Sequence, residues 1–221
     1  MSLDEVARFL RDPAAAFLRE RAGIRGNFAP EISDDLPLGA GGLDAWGIRS
    51  RLLAAACGGQ PPDAAIHAEA RRELLPTGPL GGAVLDADVE LVRRLWQQAR
   101  TDWDRPVRDV PINLECSDLQ LTGMVRLRGD ELVVISPSDL PRPLFEPWVQ
   151  LLALAASGIR TRARIHHLRR HYGEHFPGSV TLTPPQEAVA RLEVLVRGAR
   201  LGRSRLIPVP AEPARALAES A

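Results

Sequence analysis

The chain has 221 residues, of which 45% are hydrophobic, and its formal net charge is zero. This composition is typical of a globular domain with a sizeable core, excludes a disordered chain, and gives no support for nucleic-acid binding through overall charge. All 28 Lys and Arg residues are Arg, which excludes any lysine acting as a base or catalytic residue.

The N-terminal half carries the patterns of helices. Ser2 and Glu5 stand at capping-box spacing, and Asp12-Pro13 is typical of the start of a second short helix. The stretch 23–42 is rich in Gly, Pro and Asp, so we predict a loop. Apolar residues at helical spacing predict three further helices, over 43–57, after residue 63, and over 83–103.

The pattern changes to strands after residue 106. Apolar residues predict a strand over 110–116 and then a β-hairpin over 119–136, with Gly129-Asp130 at its turn. The remaining predicted elements are a helix over 143–156, strands over 159–165 and 180–182, and a final helix capped by Thr183 to Gln186. The order βββαββα behind a helical segment predicts an α/β (α+β) fold.

The predicted hairpin resembles the one that carries the active site in PD-(D/E)XK nucleases. In those enzymes an Asp and an (Asp/Glu)-x-Lys motif hold a divalent cation that activates water. The resemblance places Arg126 at the first Asp, and Val134 and Ser136 at the ends of the second motif. A guanidinium and an isopropyl group offer no oxygen ligand, so we predict no catalytic residue and no metal here.

Five segments carry a more specific resemblance, and they are LDEVARFLRDPAAAFLRERAGI, GLDAWGIRSRLLAAA, LLPTGPLG, GMVRLRGDELVVISPSDL and PWVQLLALAASG. In this order they resemble the C-terminal domain of the RecC (gamma) subunits of exodeoxyribonuclease V, the RecBCD helicase-nuclease. The resemblance implies a restriction-endonuclease-like central sheet with flanking helices. It also implies a non-catalytic domain that supports assembly with RecB- and RecD-type subunits and guides unwound DNA in double-strand-break repair and recombination.

On this resemblance we expect one compact domain and a fragment of a longer chain. Its parts would be a helical N-terminal portion (1–105), a nuclease-like core (106–202) and a Pro-rich tail (203–221). No nucleotide or dinucleotide motif stands between a strand and a helix, so we expect no cofactor. The sequence lacks a long apolar run and a signal-peptide pattern, which indicates a cytoplasmic protein without a membrane partner. Two other functions stay open: a divergent metal-dependent DNA nuclease and a stand-alone module that binds single-stranded DNA.

The most basic segment supplies the nucleic-acid-binding candidates. Alternation over the predicted strand places Arg160, Arg162 and Arg164 on one face, and Arg169 and Arg170 follow. Such a row could follow a phosphate backbone. The alternative is a solvated strand face or a contact with another subunit.

Other polar residues invite metal-site hypotheses that the sequence does not favour. His167, His171 and His175 recur every four residues, as zinc ligands on a helix do, but Gly173 and Pro177 oppose a helix and favour a polar connection. Four acids surround the predicted hairpin and could improvise a cation site, although we expect surface turn acids: Glu115, Asp118, Asp130 and Glu131.

The cysteines and tryptophans are interpreted structurally. Cys57 and Cys116 have no CxxC partner, so we predict two reduced, partly buried thiols. The four tryptophans occur at core spacing, and we predict that they pack and do not stack on bases: Trp46, Trp96, Trp103 and Trp148.

Overall fold

A computed structural model describes residues 1–21, 23–24, 42–72, 75–76, 78–116, 118–140 and 142–207. Most of the predicted loop over 23–42 lies outside the described residues, as does the tail from residue 208 onward. The division of the chain at residues 105 and 202 stays a prediction.

The N-terminus forms two short helices, α1 (Leu3–Arg11) and α2 (Pro13–Arg21). The backbone N–H of Glu5 donates to Ser2 Oγ at 3.1 Å, and the N–H of Ser2 donates to Glu5 Oε2 at 2.6 Å. Asp12 Oδ1 accepts the N–H of Ala15 at 2.9 Å, at the start of α2. Both predicted helix starts are therefore confirmed, because these side chains satisfy N–H groups that lack intrahelical partners.

The next three helices are α3 (Gly42–Cys57), α4 (Pro62–Ala70) and α5 (Pro79–Trp103). All three were predicted, but α5 begins four residues earlier than expected. Its first residue is Pro79, whose fixed backbone angle and missing N–H suit the first position of a helix.

The C-terminal half contains five strands and two helices in the described residues. Their order confirms the predicted βββαββα pattern and the mixed α/β class, while the PD-(D/E)XK assignment stays a prediction. The elements are β1 (Val107–Cys116), β2 (Leu119–Arg128), β3 (Leu132–Ser136), α6 (Phe145–Ala156), β4 (Ala163–His171), β5 (Glu174–Leu182) and α7 (Ala188–Gly202).

The pairing of β2 differs from the prediction. β2 pairs antiparallel with β1 along its whole length, from Val107 opposite Arg128 to Cys116 opposite Leu119. Between β2 and β3, in contrast, the described residues form one isolated bridge, from Arg128 to Glu131. The predicted turn is present, since Gly129 has a φ of 58°, but the predicted hairpin over 119–136 is wrong in its pairing. β1 and β2 form the extended hairpin.

The segment predicted as a polar connection is a second hairpin. β4 and β5 pair antiparallel from Ala163 opposite Leu182 to His171 opposite Glu174. At the turn, Tyr172 has a φ of 48° and Gly173 a φ of 84°, as a type I′ turn requires at both central positions. The predicted strands over 159–165 and 180–182 were misplaced or too short, because the polar residues between them hid the pairing.

The start of the last helix was also predicted wrongly. α7 begins at Ala188, and Glu187 precedes it without a side-chain cap hydrogen bond. The two prolines in the Thr183 to Gln186 stretch fall before the helix, where the chain is not helical.

Helices cover both faces of the sheet formed by β3, β4 and β5. β3 and β4 run parallel and are joined by α6, as parallel neighbours require a crossover. On one face Leu132 and Ile165 belong to a core shared with α1, α6, α7 and the β1–β2 hairpin. On the other face Ile135 and Leu168 belong to a second core, shared with α3 and α5. Successive side chains of a strand point to opposite faces of the sheet, so β3 and β4 each contribute side chains to both cores.

Neighbouring glycines in the first turn of α5 provide a matched test. A Cβ at Gly81 would lie 1.9 Å from the carbonyl oxygen of Pro76, whereas a Cβ at Gly82 would meet no atom within 4 Å. We expect Gly81→Ala to lower the free energy of unfolding by about 1–3 kcal/mol, because the backbone must shift. Gly82→Ala should raise it by up to about 1 kcal/mol, since Ala favours a helix. Urea unfolding measures both, and an equal loss of stability in the two variants would contradict this packing.

Candidate functional site

The predicted degenerate nuclease positions lie in two different surroundings. Arg126 stands directly opposite Asp109 in the β1–β2 hairpin. Its Nε and Nη2 donate to the two carboxylate oxygens at 2.8 and 3.0 Å, on an exposed face. These hydrogen bonds hold the pKa of Asp109 below its ordinary value. Arg126, which the sequence resemblance predicts at the first metal-binding Asp, thus has a carboxylate partner across the strand pair.

Val134 and Ser136 line a pocket of about 450 Å³ between the end of β3 and the start of α6. A divalent cation does not fit these positions, because Arg126 carries a positive charge and Val134 offers no oxygen. Within the described residues, no group of three or more His, Cys, Asp or Glu side chains is placed to hold a metal ion.

Glu131 corrects the expectation of surface acids around the turn, because it is only 5% exposed. Its Oε2 lies 3.1 Å from Arg105 Nη1 and 3.3 Å from Arg164 Nε, and its Oε1 accepts a hydrogen bond from Arg162. Arg164 Nε has no hydrogen-bond partner among the described residues, whereas Arg164 Nη2 donates to Glu131 Oε1 at 3.4 Å. Burial alone would raise the pKa of Glu131, but Arg162 and Arg164 outweigh it and the pKa lies below its ordinary value.

A second buried carboxylate, Asp102 in the last turn of α5, extends this arrangement. It lies 2.6 Å from Arg105 Nη2, 3.6 Å from Arg164 Nε and 3.0 Å from His166 Nε2. The other ring nitrogen of His166 lies 3.4 Å from Gln98 Nε2, one turn back on α5. We call the following six residues the charge cluster: Asp102, Arg105, Glu131, Arg162, Arg164 and His166. The charge cluster joins the end of α5 to β3 and β4.

The charge cluster removes two arginines from the set of nucleic-acid-binding candidates that the sequence predicted in the basic segment over 160–170. Arg162 and Arg164 were predicted to face solvent in a row with Arg160, yet both contact Glu131. Arg160 precedes β4, so the predicted single strand face does not exist. Arg160, Arg169 and Arg170 are exposed, and none of them forms an ion pair with the described residues.

The three histidines at four-residue spacing do not share a helix. His167 and His171 lie in β4, and His175 lies in β5. His166, which sequence reasoning left without a role, is the histidine that contacts a carboxylate. The sequence did contain one signal for the partners of His166. Gln98 and Asp102 are polar and lie one helical turn apart on a largely apolar face of α5.

The tryptophans divide into packing residues and one exception. The rings of Trp96 and Trp103 meet edge to face with centroids 6.3 Å apart, and the Arg128 guanidinium lies 3.5 Å from the Trp103 centroid. Trp148 packs partly buried against the larger core. Trp46 contradicts the packing prediction, because it is 49% exposed.

Both cysteines are free, as predicted; Cys57 is half-buried and Cys116 is buried. Burial raises the pKa of the Cys57 thiol to about 11 and also raises the pKa of Cys116. Neither thiol is therefore activated as a nucleophile at neutral pH.

The fold and these contacts define a mixed α/β domain in which buried carboxylates bind guanidinium groups. The family described as RecC C-terminal domain matches residues 1–221. The chain belongs to this family.

The curated relatives agree with the family match. The chain is 30% identical over 224 residues to the RecBCD enzyme subunit RecC of Mycolicibacterium smegmatis, an alignment that covers 100% of this chain and 21% of that protein. It is 27% identical over 233 residues to the protein of the same name from Mycobacterium tuberculosis, covering 100% of this chain and 20% of that protein. The chain thus spans about a fifth of the length of these relatives. Among the described residues, no helix is both long and apolar enough to cross a membrane.

His166 gives a pH prediction. Burial lowers the pKa of His166 more than Asp102 raises it, so its pKa lies below the ordinary value of 6.5. The unfolded chain therefore binds the proton more readily, and the free energy of unfolding falls as the pH drops below about 6.5. We expect His166→Gln to reduce this slope between about pH 6.5 and 5, by at most about 1.4 kcal/mol per pH unit.

Urea unfolding at several pH values measures the slope. The pKa of His175 is also lowered, chiefly by burial, so part of the slope should persist in the His166 variant. His175→Gln is the comparison, and it should retain the part of the slope that His166 contributes. An unchanged slope in His166→Gln would contradict the claim that the buried His166 makes the free energy of unfolding depend on pH.

Proposed function

We propose that this chain is a non-catalytic structural and interaction domain of a RecC-type subunit in a cytoplasmic RecBCD helicase-nuclease. It would support assembly with RecB- and RecD-type subunits and guide unwound DNA during double-strand-break repair and recombination. The observation that carries the proposal is the family match over the whole chain, together with relatives that are named as RecBCD enzyme subunits.

The chemistry of the hairpin supports the non-catalytic part of the proposal. Metal-dependent cleavage of a phosphodiester needs carboxylates that are free to bind a cation. Here Asp109 binds Arg126, and Glu131 binds three guanidinium groups. A cation at either place would have to displace arginine side chains whose charge repels it.

Three of the five arginines that the sequence predicted as DNA contacts remain candidates, because they are exposed and lie outside the charge cluster. Arg162 and Arg164 belong to the charge cluster, so their substitution would disturb the fold as well as any DNA contact. Arg169 and Arg170 are exposed on the β4–β5 hairpin, and Arg160 is exposed at the opposite end of β4. We propose that these three guide the phosphate backbone of unwound DNA.

The double variant Arg169→Glu/Arg170→Glu in the assembled complex tests DNA guidance. Single-stranded DNA should bind more weakly, and the slope of log affinity against log salt should become shallower by about 1.4, because two phosphate contacts are lost. Fluorescence anisotropy over a salt series measures both quantities. Arg191→Glu/Arg197→Glu is the matched control, because it makes the same charge change on the exposed side of α7.

Co-purification with the partner subunits should succeed in both double variants. An unchanged affinity and salt slope in Arg169→Glu/Arg170→Glu would contradict DNA guidance by this hairpin.

The polypeptide alone should also leave linear DNA intact in the presence of magnesium, and cleavage under those conditions would contradict the non-catalytic role.

A further inference from the structure

The side chain of Trp46 presents an exposed aromatic surface, which we call the platform. Trp46 lies in α3 and is 49% exposed. Its indole Nε1 donates to Ser138 Oγ at 2.9 Å, in the segment that follows β3. This hydrogen bond satisfies the N–H and fixes the ring, so an exposed aromatic surface is held in position at little entropic cost.

The platform borders the pocket of about 450 Å³ at the end of β3. This volume falls within the range of small-ligand sites. Val134, Ile135 and Pro147 supply apolar surface, while Ser136 and Glu146 supply polar groups at its edge. An apolar lining with a few hydrogen-bonding groups suits a planar heterocycle.

Cationic groups lie at the pocket and near it. Arg11 lines the pocket, half-exposed, and its Nη2 lies 3.7 Å from Glu146 Oε2, which is too long for a hydrogen bond. Asp139, next to Ser138, accepts the backbone N–H of Arg170 at 3.1 Å, so the exposed end of β4 lies beside this segment. Two acidic groups, Glu146 and Asp139, also lie in this region, and both are about half exposed.

α3 also carries an arginine near the β4–β5 hairpin, but a buried carboxylate neutralises its charge. Arg49 lies one turn after Trp46, and its Nε donates to Asp88 Oδ1 at 2.6 Å. Burial, followed by the charges of Arg49 and Arg170, lowers the pKa of His175. Arg49 and Arg170 therefore both lie near His175, where Asp139 and Asp88 oppose their effect.

We infer that this pocket binds a base of single-stranded nucleic acid, which stacks on Trp46 while Arg11 and the Arg169–Arg170 pair contact the flanking phosphates. The inference rests on the proposed function and locates a binding site within it. Base stacking beside cationic side chains is the general mode of single-strand binding, and it is tolerant of sequence. Separate cations beside one fixed aromatic ring favour a phosphate-bearing ligand over an apolar peptide.

Single-residue variants of the intact polypeptide that contains residues 1–221 test this site. The probe is an oligothymidine of about 20 nucleotides, long enough to span one binding groove. Trp46→Ala should weaken its binding by roughly 5- to 150-fold, the range for losing one stacked base, and Trp46→Phe should retain most of the affinity. Leu43→Ala is the control, because Leu43 is an 83% exposed apolar residue of the same helix.

Crosslinking supplies a readout that a loss of folding cannot imitate. An oligonucleotide carrying 5-iodouracil should crosslink under ultraviolet light to residue 46 of the parent protein, as mapped by mass spectrometry. Parental affinity in Trp46→Ala, or crosslinks that map only elsewhere, would overturn the inference. If Trp46→Ala loses partner subunits but keeps its DNA affinity, the platform is a protein contact and the inference is also overturned.

The outcome separates this site from the proposed function. If Arg169→Glu/Arg170→Glu weakens DNA binding and Trp46→Ala does not, the base site fails while DNA guidance stands. If neither change affects binding, both the base site and DNA guidance fail, and the assembly role is judged by co-purification alone.

Discussion

A buried carboxylate that must be neutralised is the constraint on which this structure depends. Glu131 sits at the start of β3, nearly inaccessible to water, and three guanidinium groups reach it from the end of α5 and from β4. Removing one partner of a buried ion pair leaves a charge without compensation, which costs far more than an exposed pair contributes. The requirement therefore fixes β3, β4 and α5 relative to one another, and it determines which arginines are left for other partners.

The same constraint links the fold to the proposed role. Arginines that a nucleic-acid surface could have used are taken by Glu131 and Asp102, while Asp109 takes Arg126. Three exposed arginines of the basic segment, Arg160, Arg169 and Arg170, lie at the ends of β4, and the end that carries Arg170 approaches the pocket beside Trp46. Under the proposed function, the sheet and helices form a scaffold whose polar groups stabilise it and contact partners.

Local patterns predicted much of this architecture, whereas long-range pairing was beyond them. Capping chemistry at Ser2 and Asp12 is encoded within three residues, and those helix starts were predicted. The β4–β5 hairpin was missed because its strands contain histidines and arginines. The charge cluster was missed because the arginines that contact Glu131 lie 26 to 33 residues from it in the chain. Trp46 was assigned to the core because its spacing is helical, but spacing does not show which face of α3 is covered.

A double-mutant cycle on Glu131 and Arg164 tests the central claim most directly, namely that the buried acid stabilises the sheet through its arginines. Glu131→Gln, Arg164→Met and the double variant would be unfolded in urea at neutral pH. A coupling energy of about 1–3 kcal/mol is predicted, clearly larger than that of the exposed Asp109 and Arg126 pair measured the same way. A coupling no larger than that of the exposed pair would contradict the claim.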